Sequence, residues 1–117
     1  MYVIGERING MFKDVRKAIR NKDASVIQDL ARRQIEAGAS ALDVNVGPAA
    51  ANPEDVMLWL VESIREVSDA PLAIDTAQWD LMSSVVPKTP GETILNSSKA
   101  DPDILAHAEL VAHKVLK

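Results

Sequence analysis

The stretch Ala41-Leu42-Asp43-Val44-Asn45-Val46-Gly47 alternates like a buried β-strand, yet it has a carboxylate and a carboxamide set into it. Successive side chains of a strand point to opposite faces. Leu42, Val44 and Val46 therefore share one face, and Asp43 and Asn45 the other. A polar pair near the end of an apolar strand calls for partners, because buried polar groups without them are costly.

Working outward, the neighbouring segments alternate between strand and helix patterns. Upstream, Tyr2-Val3-Ile4-Gly5 is a short β-branched run closed by glycine, so it predicts a first strand, with Glu6 to Phe12 as the loop after it. Lys13 to Asn21 permits a helix. Ala24 to Ala37 predicts one clearly, with Ile27, Leu30, Ala31, Gln34 and Ile35 at spacings of three and four, and Gly38 is its stop signal. Downstream, Asn52 is a candidate cap, Pro53 suits the first helical position, and Glu54 and Asp55 suit the positive end of a helix running to about Val67. Its apolar side is Val56, Leu60, Ile64 and Val67, with Trp59 at the margin. "PLAIDT" reads as a third strand, "AQWDLMSSVV" as a short helix ending before Pro87, "TILNSS" as a fourth strand, and Asp101-Pro102 opens a last helix. Strand and helix alternating four times predict an α/β fold of parallel βα units, since parallel neighbours need long crossovers.

Composition narrows the function. A content of 47% hydrophobic and 26% charged residues is that of an ordinary soluble globular domain. The net charge of -4 and only four aromatic residues (one Phe, one Tyr, two Trp) argue against a nucleic-acid partner. No cysteine is present, which removes thiolate metal sites and cysteine nucleophiles. No apolar run approaches the roughly 20 residues that span a bilayer, and the N-terminus has no signal pattern. The expectation is a cytoplasmic protein with no membrane partner.

The polar residues gather where the strands end. Glu6, Arg7 and Asn9 follow the first strand, Asp43 and Asn45 end the second, Asp75 and Thr76 the third, and Asn96, Ser97 and Ser98 the fourth. In a parallel βα array these ends lie on one edge of the sheet, the edge where such folds bind ligands. Structural roles are the alternatives: Asp75 as a helix cap, Asp43 and Asn45 as a network holding loops, Glu6 and Arg7 as an ion pair. No GxGxxG or GxxxxGK follows a strand, and no His lies near the serines. His107 and His113, six apart on one predicted helix, face different ways, so no metal site is expected. Carboxylates and amides in a mostly uncharged pocket suit a planar, nitrogen-rich heterocycle better than a phosphate.

The motifs "IGERING", "ALDVNVG", "LAIDTA" and "TILNSS", in this order and spacing, resemble the pterin-binding methyltransferases, within them most closely the methyltetrahydrofolate:corrinoid/iron-sulfur protein methyltransferases. The resemblance covers Met1 to about Ser98; the last helix matches only in type. It implies that Asp75 and Asn96 hydrogen-bond a pterin ring, with Asn9, Asp43 and Asn45 in or beside the pocket. It also implies methyltetrahydrofolate as substrate, whose N5 methyl passes to cobalamin on a partner corrinoid protein.

The family fold is an eight-stranded TIM barrel of roughly 250 residues, and this chain supplies about four βα units. The resemblance therefore implies that residues 1–117 form a partial pterin-binding domain, the N-terminal half of a barrel. In the family, a third pterin-binding carboxylate and the amide near N5 come from later strands, beyond Lys117. The chain alone is then expected to be inactive. Four strands with two free edges are also expected to associate into a homo-oligomer, with Val3 or Ile4, Val44, Ile74 and Ile94 partly uncovered on the inner face. Two alternatives stand beside this reading. One is a dihydropteroate synthase-like enzyme, which "ERINGMF" does not match at the loop after the first strand. The other is a non-catalytic half-barrel that binds or associates.

Overall fold

The computed structural model describes residues 2–48 and 51–96. Ser97, Ser98 and the expected last helix with His107 and His113 lie outside the described residues. The elements are β1 (Ile4–Asn9), α1 (Lys13–Asn21), α2 (Ala24–Glu36), β2 (Ala41–Asn45), α3 (Pro53–Arg65), β3 (Leu72–Asp75), α4 (Trp79–Val85), a 3-10 turn (Val86–Lys88) and β4 (Thr93–Asn96). The sheet order is β1-β2-β3-β4 and all three pairings are parallel. A doubly wound sheet reverses its strand order at a switch point. Here the order only advances, as it does around a barrel wall.

Leu42 and Val44 of β2 and Leu72 and Ile74 of β3 are fully buried and join one core with the helices. That core takes Ile27 and Ala31 from α2, Met57, Leu60, Val61 and Ile64 from α3, and Leu81, Met82 and Val85 from α4. Each fully buried Leu or Ile contributes about 1.5 to 3 kcal/mol, so the helix-facing side of the sheet carries the stability. Val44 and Ile74 belong to this side, which corrects the expectation that they are left uncovered. Their strands point them at the helices, whereas Asp43, Ala73 and Asp75 take the opposite face. Ile4 and Ile94 are half-buried, and Val3 is 43% exposed.

Local signals were obeyed at most element ends. Gly38, at φ 106°, follows the end of α2 in a conformation that a Cβ would resist. Asn52 stands at the cap of α3 with Pro53 next, but its side chain makes no capping hydrogen bond. The cap that does form belongs to α2, where the Asp23 carboxylate accepts from the Ser25 N–H at 3.2 Å. The first strand runs on to Asn9, so "ERIN" is strand rather than loop. Pairing with β2 supplies the backbone partners that the polar sequence did not advertise. Among the described residues no helix is long and apolar enough to cross a membrane.

Candidate functional site at the carboxyl edge of the sheet

The site begins with an irregularity in β1. Gly5 pairs with Leu42 and Ile8 with Val44, so Glu6 and Arg7 together oppose the single residue Asp43. This is a β-bulge, and it re-aims two side chains while leaving Ile8 in phase with the core. The Arg7 N–H donates to Gln34 Oε1 of α2 at 2.9 Å, and a Cβ at Gly5 would collide with that same amide. The Arg7 guanidinium donates to Asp14 at 2.6 Å and lies over the Phe12 ring at 4.1 Å. Arg7 thus pairs with Asp14 rather than with Glu6, and the bond holds the Asp14 carboxyl below the usual carboxylate range.

Asp43 is the centre of the edge. It is 2% exposed, and Asn96 Nδ2 donates to its Oδ1 at 2.8 Å across the width of the sheet. Burial, and then the neighbouring carboxyl of Asp75, push the Asp43 carboxyl up to about 7. The Asn96 bond pulls the other way, and the charge of Glu6 adds a smaller upward push. Two carboxyls sharing a desolvated site resist double ionisation. With its carboxyl raised to about 7, Asp43 is partly protonated near neutral pH and gives the edge a donor as well as acceptors.

The remaining predicted residues divide by role. Asn45 Oδ1 accepts from the Gly47 N–H at 2.8 Å, and Asn9 Oδ1 accepts from the Met11 N–H at 2.9 Å. Each amide oxygen shapes the turn that leaves its strand. The loop-holding role is therefore realised for Asn9 and Asn45 through their oxygens. Asp75 caps no helix: Gln78 stands at the start of α4, and Thr76 Oγ1 accepts from the Gln78 N–H at 3.0 Å. Backbone meets backbone where the first two loops cross. A Cβ on Gly10 would collide with the Val46 carbonyl, and one on Gly47 would come within 2.9 Å of the Gly10 carbonyl carbon.

Two cavities open on this edge. One, of about 470 Å³, is lined by Glu6, Arg7, Asn9, Phe12, Gln34, Asp43 and Asp75. The other, of about 450 Å³, has Asn45, Asp75, Thr76 and Met11 in its wall. The Nη1 of Arg7 and the Nε2 of Gln34, like the Nη2 of Arg65 at the opposite edge, are buried without a hydrogen-bond partner among the described residues. Carboxyl acceptors and unpaired N–H donors in one cavity match a ring with alternating N–H and acceptor groups. In the sequence Gln34 falls in the apolar stripe of its helix and Phe12 in the loop expected after the first strand, so neither stands out as a site residue. An amide on a core-facing helix stripe was the available signal for Gln34.

Comparison with known proteins agrees with this chemistry. The model of the pterin binding enzyme family matches residues 6–116. The chain belongs to the pterin-binding enzymes. The four parallel strands, joined by helices, correspond to half of the eight-stranded wall of a TIM-type barrel. A relative named methylcorrinoid:tetrahydrofolate methyltransferase, from Eubacterium limosum, is 38% identical over 93 residues, covering 78% of this chain and 34% of that protein. The chain spans about a third of that relative's length.

Proposed function

We propose that residues 1–117 are the pterin-binding part of a methyltransferase that moves a methyl group between the N5 of tetrahydrofolate and a corrinoid carried by a partner protein. The observation that carries this reading is the Asp43–Asn96–Asp75 cluster, spread over three strands at one sheet edge. Asp75 and Asn96 hydrogen-bond the pterin, Asp43 lies beside them with a raised carboxyl pKa, and Asn9 and Asn45 hold the loops that frame the ring. The order of words in the relative's name runs from methylcorrinoid to tetrahydrofolate, opposite to the transfer expected from the sequence motifs. Both directions pass through one transition state, so the same pterin contacts serve either. The corrinoid supplies or receives the methyl group, while these residues bind and orient the pterin and keep its ring protons matched.

The site assignment is tested by calorimetric titration with methyltetrahydrofolate. Asp75→Ala and Asn96→Ala should each weaken binding by roughly 1 to 3 kcal/mol, the cost of a stranded hydrogen-bond partner. Ser83→Ala, whose hydroxyl donates only to the Asp80 carbonyl on α4, serves as control. Unchanged affinity in both site variants would reject the assignment. In the same reading the protein is cytoplasmic, and the 117 residues by themselves transfer no methyl group. The outer edges of β1 and β4, unpaired among the described residues, then associate with a second copy. Light scattering of the 117-residue polypeptide should show a dimer or larger species.

A further inference from the structure

Next to the carboxyl-edge cavities lies a third, of about 710 Å³, between α1 and the start of α3. Its wall includes Arg16, Arg20 and Lys22 against a single carboxylate, Asp55. Arg16 and Arg20 are one helical turn apart, so both project from the same face of α1. Neither forms an ion pair with any described residue. Lys22 closes α1 in the left-handed conformation, φ 54°, which a lysine adopts at some cost, and its ammonium sits 5.2 Å from the centre of the Trp59 ring. Lys22 thus lines the cavity while its ammonium lies against the Trp59 ring of α3. The cationic cavity shares Met11, Val46 and Pro48 with the cavity lined by Asn45, Asp75 and Thr76, so the two adjoin at the crossing of the first two loops.

Resting on the pterin reading above, we propose that this cationic cavity receives the glutamate carboxylates of the folate tail, so that Arg16, Arg20 and Lys22 select polyglutamylated over tailless pterins. A tetrahydrofolate is anionic only at its tail. The p-aminobenzoyl spacer carries those carboxylates well away from the pterin, as the lateral offset of the cavities requires. The adjoining cavity carries Asp75, and the one beyond it Glu6, Asp43 and Asp75, carboxyls that would repel the tail, whereas the cationic cavity has an excess of two cations. Met11, 68% exposed and common to both cavities on the Asp75 side, offers an apolar bridge for the benzoyl ring.

The test compares three probes by titration of the protein: 6-methyltetrahydropterin, monoglutamyl tetrahydrofolate and polyglutamyl tetrahydrofolate. Affinity should rise along the series, and the polyglutamyl advantage should shrink as salt is raised. The double variant Arg16→Gln/Arg20→Gln should lose about five- to tenfold in polyglutamyl affinity, the scale of two partly exposed ion pairs, with tailless pterin affinity retained. If the tailless pterin binds but tail length makes no difference, the inference falls while the pterin reading stands. If none of the three binds, both fall. If the double variant binds all three probes as the parent does, the cations do not meet the tail, and the proposal is overturned.

Discussion

The two edges of the same four-stranded sheet are built on opposite plans. At the amino edge, Arg65 at the end of α3 directs two of its three nitrogens to backbone: Nε to the Pro90 carbonyl at 2.7 Å, and Nη1 to those of Ala70 and Ser68 at 2.6 and 3.3 Å, while Nη2 is buried with no partner among the described residues. The arginine acts as a clamp between the end of α3 and the approaches to β3 and β4. At the carboxyl edge, polar groups are aimed at one another and at cavities. Asp43 is buried beside another carboxyl, and the donors of Arg7 and Gln34 are left over. The amino edge commits most of its arginine's donors to backbone carbonyls, with one nitrogen, Nη2, left over. The carboxyl edge leaves two donors over and buries a carboxyl beside another carboxyl, a cost in stability of the kind that ligand-binding edges carry.

The largest expected effect lies where the carboxyl edge is rigid. Gly10→Ala would drive a methyl group into the Val46 carbonyl, backbone against backbone, so the loops have to part. We expect a loss of about 3 kcal/mol in urea unfolding, together with weakened pterin binding; a loss of stability alone would show that the loop crossing does not frame the site. Arg65→Met should come next, at about 2 kcal/mol, because three carbonyls lose a charged donor. Pterin affinity measured well below the melting temperature should stay at the parent value. If it falls, the division of labour between the edges is wrong.

Asp43→Asn tests the carboxyl edge in the opposite direction. The folded-state pKa of Asp43, about 7, lies above its ordinary value of 3.8. Its favourable contribution is therefore fully present only below pH 3.8 and is lost as pH rises through about 7. An asparagine can accept from Asn96 and donate to Asp75 without ionising. The variant should gain roughly 1 to 2 kcal/mol over the parent at pH 8, and the gain should fade toward pH 4. Denaturant curves at pH 5 and pH 8 measure this; an identical difference at both would show that the Asp43 carboxyl is not raised. The smallest effect is reserved for Lys22→Gly, which relieves the left-handed backbone but loses the contact with Trp59. A gain of at most about 0.5 to 1 kcal/mol in melting experiments is expected.

How much of this was legible depended on whether each signal was local. The α2 stop at Gly38, the Pro53 start of α3 and the strand pattern of Leu42 and Val44 are short-range matters, and the structure realises them. The bulge at Glu6 and Arg7 was not legible, because it exists only in the register between β1 and β2. Arg7 was read against its sequence neighbour Glu6, yet its partner is Asp14, one helical start away. Nothing local distinguishes those two acids. Gln34 sits in the stripe expected of a core helix, and only the packing of α2 under the bulge turns its amide into a receptor for the Arg7 N–H.

The sequence by itself determined the parallel βα architecture and the gathering of Asp43, Asn45, Asp75 and Asn96 at one edge. Both follow from strand periodicity and from the direction that parallel crossovers impose. Which of these residues pair was decided by tertiary structure alone. Asp43 and Asn96 are 53 positions apart in the chain and meet at 2.8 Å because β3 lies between their strands at a fixed register. The proton near neutrality at Asp43 arises in the same way, from desolvation and a neighbouring carboxyl, neither of which exists until the chain is folded.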